Sequence, residues 1–262
     1  MRLERFIETW GTVIVIDANA PTKNEQELNS AIDSVEQFFL KVNEKLSTYI
    51  EGSEISRLRR NELNINVASA MVQEVWQLCE YSRELTLGAY DPWAVEGGFD
   101  PSGLVKGWAA ERATQMLVEA GCTNVLINAA GDLFLHGGQP TEDGSVLPWQ
   151  IGINDPSDAE LIVKTFDIVD GAIATSGTFY KGAHITDPHT GLIAIGARSA
   201  SVIGPDGAIT DALATALMVD GRDAQNWIGR PELSEYTYWV TNRDQETAWS
   251  YGPLVAAHTQ SD

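Results

Sequence analysis

The sequence is poor in cysteine. Cys79 and Cys122 are its only two, and both sit inside helical or strand-like patterns without metal-ligand spacing. That argues against a disulfide framework and against a zinc site. A long apolar run is also missing. The opening MRLERFIETWGTVIVIDA is broken by Glu8, Thr9 and Gly11 in an alternating, strand-like pattern, well short of the about 18 apolar residues a membrane helix needs. Neither a signal peptide nor membrane insertion is expected, and the expected location is cytoplasmic. Cations are scarce: 17 Lys and Arg stand against 37 Asp and Glu, a formal net charge of -20. Such a surface repels nucleic acid and anionic membranes, so neither is an expected partner. A small anionic substrate is still admissible if a metal, backbone amides or a few placed cations such as Lys106 meet it locally. No GxxxxGK[ST] and no GxGxxG spacing occurs, so the phosphate loops that those motifs mark are absent.

What is present is enough apolar residue, 44%, for a sizeable core in 262 residues. From Glu25 to Tyr49, Leu28, Ala31, Ile32, Val35, Phe38, Phe39, Val42 and Leu46 recur at spacings of three and four, an amphipathic helix of about six turns. Met71, Val72, Val75, Trp76, Cys79 and Leu85 trace a second helix. A third runs through Trp108, Ala109, Ala113, Met116, Leu117 and Ala120, with Gly121 as its C-terminal cap. Strands follow at NVLIN, DLFLHG, WQIGI, LIVKTFDIV, GAIATS, SASVIG and EYTYWVT. The expected fold is α+β, with mixed or antiparallel sheets and packed helices, helix-rich early and strand-rich late. The chain reads as one composite unit over 1–262, with a possible subdivision near residue 98 and a polar tail from about residue 256.

Four segments carry the candidate chemistry. GAYDPWAVEGGFDPSGLVKGWAAE, from Gly88 to Glu111, sets Asp-Pro turns and glycines ahead of a helix with Lys106 in its first turn. A helix start offers free N–H groups to an anion, and the glycines are equally explained by tight turns. NVLINAAGDLFLHGG puts Asp132 at a small-residue turn, either as a local hydrogen-bond cap or facing a ligand. AIATSGTFYKGAHITDPHTG crowds Ser176, Thr178, Tyr180, Lys181, His184, Asp187 and His189 into a hairpin-like stretch. GAITDALATALMV, from Gly207 to Val219, reads as a helix whose start is marked by Thr210 and Asp211. Asp211 and Thr215 are then i and i+4, a carboxylate and a hydroxyl on one face within reach of one hard cation. The same pair fits a first-turn acid and a threonine bonded back to the carbonyl of residue 211.

In this order the segments resemble the ApbE-type family of FAD:protein FMN transferases. WGT (Trp10 to Thr12) and SEISRL (Ser53 to Leu58) look like its N-terminal signatures, and GAYDP is similar to its GAFDP turn. FDPSGLVKG resembles D-x-G-G-x-A-K-G, INAAGD resembles N-x-G-G-D, and ATSG with HITDPHTG and DALATAL resemble three further motifs. The resemblance implies a magnesium enzyme, with manganese as a possible substitute, that moves FMN from FAD to a Thr or Ser hydroxyl of an acceptor protein and releases AMP. It implies Asp211, Thr215 and a backbone carbonyl of the Ser102 to Val105 loop, taken here at Val105, as metal ligands. Lys106 would face the diphosphate or its metal. Thr12, Asp91, Asp132, Ser176, Gly177 and Asp187 would line the flavin and adenosine pockets. His184 would stand near the acceptor hydroxyl as its base. Ser102-Gly103, Ala129-Ala130 and Trp108 depart from the family pattern and leave the expected metal helix untouched. An FAD pyrophosphatase and a non-catalytic FAD-binding protein are the alternatives.

Overall fold

The opening stretch folds as a hairpin of two strands, β1 (Arg2–Thr9) and β2 (Thr12–Asn19), with Thr9 opposite Thr12. In the computed structural model, residues 1–141, 143–178, 185–244 and 247–256 are described. Trp10 and Gly11 both adopt positive φ, 55° and 68°, as the tightest hairpin turns require. A left-handed tryptophan is strained, and its contacts offset the strain: the indole N–H donates to Phe39 O at 3.2 Å and the ring meets that of Phe39 edge-on.

Helix α1 (Glu25–Leu46) begins in a reciprocal capping box between Asn24 and Glu27 and buries Leu28, Ile32, Val35, Phe39, Val42 and Leu46, the face its spacing predicts. The short α2 (Glu54–Arg59) is capped by Ser53, and α3 (Ala70–Leu85) and α4 (Ser102–Glu119) follow. Gly121, at φ 96°, takes the left-handed position after the last turn of α4. The strands after α4 are β3 (Asn124–Ala129), β4 (Asp132–His136), the small pair β5 (Gln139–Pro140) and β6 (Val146–Leu147), and β7 (Trp149–Asp155) with β8 (Asp158–Ile168). Then come β9 (Gly171–Gly177), β10 (Ser199–Gly204), helix α5 (Gly207–Asp220), β11 (Thr237–Thr241), β12 (Ala248–Tyr251) and a final turn, α6 (Pro253–Ala256).

An eight-stranded antiparallel sheet in the order β1-β2-β3-β4-β9-β10-β11-β12 organises these elements, so strands from both ends of the chain share it. One face is covered by helices, α4 over β3 and β4 and α5 over β9 and β10, with α1 against α4 and β1. This helical side holds the main core, which runs from Ile7 to Val240. The other face is covered by the β7–β8 ribbon, where Trp149, Ile153, Phe166 and Ile168 pack on Leu135, Ile173 and Ile203. Alternation within a strand explains the division: Ile173 points to the ribbon and Ala174 to the helices. Among the described residues no helix is long and apolar enough to cross a membrane.

The register places several turns at one end of the sheet. Ile14 pairs with Ala129, Leu133 with Ile173, and Ala200 with Ser176. The Trp10–Gly11 turn, Thr12, the Ala130–Gly131 turn and the Ser176–Gly177 end of β9 are therefore neighbours along one rim.

Candidate active site

Helix α5 is buried almost all round, so any polar side chain on it must find a partner inside the protein. Its true start is Asp206, whose carboxylate accepts from Ile209 N at 2.9 Å and from the Tyr236 hydroxyl. Thr210 and Asp211 therefore do not mark the helix start. Asp211 lies a full turn inside, 2% exposed, too deep for the role of a first-turn acid. Its partners come from α4: Lys106 Nζ lies 3.5 Å from Oδ1 and 3.4 Å from Oδ2, and Gly107 N donates to Oδ2 at 3.3 Å.

This approach requires two glycines. A Cβ on Gly107 would stand 2.0 Å from Gly207 O, and one on Gly207 would stand 2.1 Å from Gly107 O. Only hydrogen fits at this crossing of α4 and α5, so the backbones touch and Asp211 reaches the N-terminal part of α4. Glu111 ties the same crossing, accepting from Gly207 N at 2.9 Å.

Lys106 also makes a close ion pair with Asp132 at the head of β4. Asp132 is 2% exposed, and its second oxygen accepts from Thr175 N at 3.2 Å. Two buried carboxylates thus share one ammonium, so the group carries one negative charge in excess when both are ionised. Burial pushes the Asp211 carboxyl up from its ordinary range, and the charge of Asp132 adds to that. For Lys106 burial opposes the charge, but Asp132 and then Asp211 outweigh it and hold the ammonium above the ordinary lysine range.

Thr215, one turn beyond Asp211, sets its Oγ1 3.4 Å from Ser176 Oγ, and no bond back to the carbonyl of residue 211 is among its described contacts. Gly103 lies beneath: a Cβ there would stand 2.8 Å from Thr215 Oγ1 and 3.3 Å from the Tyr90 ring. Val105, expected in a loop, lies in the first turn of α4, whose helical geometry is broken at Gly103 (φ -83°, ψ 21°).

The donors available to a metal are all oxygens: the Asp211 and Asp132 carboxylates and the Thr215 and Ser176 hydroxyls. Among the described residues no group of three or more His, Cys, Asp or Glu could hold an ion unaided. A small hard cation that keeps waters and takes substrate phosphates besides one or two carboxylates fits such a set, and the excess negative charge favours it.

The structure thus brings Lys106, Asp132, Ser176, Asp211 and Thr215 together, with Thr12 and Gly177 on the same sheet rim. Asp91 is engaged elsewhere, in an ion pair with Arg83 at 2.7 Å and a bond from Trp93 N at 2.9 Å. Asp187 closes its own turn, accepting from His189 N and Thr190 Oγ1, both at 2.8 Å. His184 lies outside the described residues, as do Tyr180 and Lys181. Sequence reasoning missed Gly107, Gly207, Glu111 and Tyr90. A glycine inside a helical pattern was the available signal for Gly107, whereas Gly207 stands at the first position of α5.

Comparison with known proteins bears on the family and the fold. The model described as "ApbE family" matches residues 94–236, more than half of the chain. The FAD:protein FMN transferase of Escherichia coli K12 is 30% identical over 148 residues, 52% of this chain and 41% of that protein. The Vibrio cholerae protein of the same name is 33% identical over 134 residues, 47% of this chain and 39% of its own length. The matches therefore span less than half of these curated relatives. Among solved structures, the flavin transferase ApbE from Vibrio cholerae superposes with a TM-score of 0.79 at 23% identity, covering 96% of both chains. The ApbE protein of Thermotoga maritima gives 0.81 at 21% identity, covering 100% of both. By the family match and its extent, this chain belongs to the ApbE family.

Proposed function

We propose that this protein transfers the FMN half of FAD to a threonine or serine hydroxyl of an acceptor protein, releases AMP, and uses Mg2+ to do so, with Mn2+ as a chemical substitute. The observation that carries the reading is the convergence of Lys106, Asp132 and Asp211 beside the Thr215 hydroxyl, a buried all-oxygen site with one negative charge in excess. The relatives named FAD:protein FMN transferase support it from the side of activity.

Asp211 and Thr215 would hold the cation, with Val105 offering its backbone carbonyl from the first turn of α4. When bound, the cation neutralises the diphosphate of FAD and the charge that develops on the departing phosphate. Lys106 adds a second positive charge at the same diphosphate. Asp132 fixes Lys106, and Thr175 N fixes Asp132, so this electrostatic arrangement is in place before substrate arrives. Thr12, Ser176 and Gly177 line the flavin and adenosine ends along the sheet rim. Asp91 and Asp187 contribute by holding the turns that border those ends.

In the chemical step the acceptor Oγ forms a bond to the phosphorus on the FMN side, and the bond from that phosphorus to the bridging oxygen breaks. AMP leaves with that oxygen. The hydroxyl proton passes to a base, for which His184 is the candidate, its ordinary pKa near 6.5 suiting neutral pH.

The test incubates the protein with FAD and Mg2+, with and without protein from the same cells, followed by AMP release and intact mass. The reading expects AMP only with acceptor, and an acceptor mass gain equal to FMN. Fast AMP and free FMN without acceptor would make the protein a pyrophosphatase. FAD bound with no AMP under either condition would make it a carrier.

A further inference from the structure

The proposed cation site already contains a cation, the ammonium of Lys106, and its contacts are unequal. Lys106 meets Asp132 in a close pair, whereas both Asp211 oxygens lie at 3.4 to 3.5 Å. Asp132 has its other oxygen fixed by Thr175 N at 3.2 Å, at the head of a central strand. Asp211 is held by one further long bond, from Gly107 N at 3.3 Å, and sits one turn from the Thr215 hydroxyl. Asp132 is the anchor of the ammonium, and Asp211 is its loosely held second partner.

We propose that Lys106 is a tethered placeholder cation that competes with the divalent ion for Asp211. With no ion bound, Lys106 bridges both carboxylates and offsets one of their two charges, which lets a doubly acidic site be buried beneath α5. Asp211 with Thr215 would hold the divalent ion, and Lys106 would then withdraw onto Asp132. Lys106 is thus a positioning residue that lowers the affinity of the free protein for metal, so that tight binding waits for a ligand whose phosphates add oxygen donors. The physical basis is direct. An unpartnered pair of buried carboxylates attracts a divalent ion more strongly than a pair already sharing an ammonium, because the ion need not displace a charge.

This inference rests on the metal-dependent reading above, and its test separates the two. Mn2+ binding to the FAD-free protein is measured by electron paramagnetic resonance for wild type, Lys106→Met and Lys106→Arg. The expected result is at least tenfold tighter Mn2+ binding in Lys106→Met, with Lys106→Arg close to wild type or weaker. Lys106→Met should also melt earlier than wild type without Mn2+ and recover with it. Equal or weaker Mn2+ binding in Lys106→Met overturns the placeholder role alone, whereas absence of Mn2+ binding in wild type overturns that role and the metal-dependent reading together. A readout on the wild type covers the case in which Lys106→Met does not fold. Reductive methylation of Lys106, followed by peptide mass spectrometry, should speed up severalfold when Mg2+ is added, because the ammonium loses a carboxylate and gains a cationic neighbour. An unchanged rate with Mg2+ demonstrably bound overturns the proposal.

Discussion

Replacing Gly107 with alanine tests how the site is built. The added methyl would stand 2.0 Å from Gly207 O and 2.7 Å from Gly207 C, both backbone atoms that cannot rotate away. Comfortable carbon–oxygen approach begins at about 3.3 Å, so the α4–α5 crossing must open by about 1.3 Å. Overpacking of this kind costs about 1–3 kcal/mol. For a chain of this size, at about 2 °C per kcal/mol, that corresponds to a fall in Tm of roughly 2–6 °C. The damage to chemistry should exceed the damage to stability. The same opening lengthens the Gly107 N bond to Asp211 and moves Asp211 away from Lys106. A misplacement of about 1 Å at a reacting site is worth roughly a hundredfold in rate. Differential scanning calorimetry, Mn2+ titration and FMN transfer should be run beside Gly52→Ala, a position with open space around the new methyl. Gly107→Ala with the Tm and Mn2+ affinity of Gly52→Ala would refute the claim that the glycine contact positions the site.

Other predictions follow from the same contacts. Gly103→Ala places a methyl 2.8 Å from Thr215 Oγ1, a side-chain atom that can turn, so it should weaken Mn2+ binding while lowering Tm less than Gly107→Ala does, as melting and titration would show. Asp211→Ala should abolish both Mn2+ binding and transfer, whereas His184→Ala should keep Mn2+ and FAD binding and slow transfer by roughly 10²–10⁴, the usual worth of a general base. Transfer by His184→Ala at the wild-type rate would remove that residue from the mechanism. The ion-free protein should also lose stability as pH rises from about 4 to about 7. The Asp211 carboxyl is raised from 3.8 to about 7 by burial and by Asp132, so the folded state holds a proton that the unfolded chain has already released. That contribution is complete below the unfolded value and is lost as pH passes the folded one. Asp211→Asn should flatten this part of a stability–pH curve from urea melts, and an unchanged slope would count against the burial of Asp211 as a charged group.

The elements were legible where a single periodicity ran unbroken. Helix α1 could be read from Leu28, Ile32, Val35, Phe39, Val42 and Leu46, because all six face one core. The first hairpin was hidden: the alternation continues through Trp10–Gly11, and a tryptophan at positive φ is not a sequence signal for a turn. The span of α5 was read from Gly207, but its cap was misassigned because Thr210 and Asp211 look like capping residues, while the actual cap, Asp206, follows a proline in a stretch without apolar rhythm. Asp211 and Thr215 were rightly paired as i and i+4 on one helix, yet the depth of Asp211 depends on what packs against α5, which local pattern does not record. The meeting of Lys106 with Asp132 and Asp211 joins residues 26 and 105 positions apart, and the Gly107–Gly207 contact depends on the same long-range packing. Asp91 and Asp187 were chosen by residue type and motif, and the structure shows each carboxylate occupied by its own turn or a neighbouring arginine.

The central claim is that this oxygen-lined site under α5 moves FMN from FAD to another protein. Intact-mass analysis of proteins from the same cells, incubated with this protein, FAD and Mg2+, tests it most directly. The account predicts an acceptor that gains the mass of FMN, one AMP released per acceptor modified, and no gain with Asp211→Ala. An acceptor fraction of unchanged mass, with wild-type protein that binds both FAD and Mg2+, would contradict it.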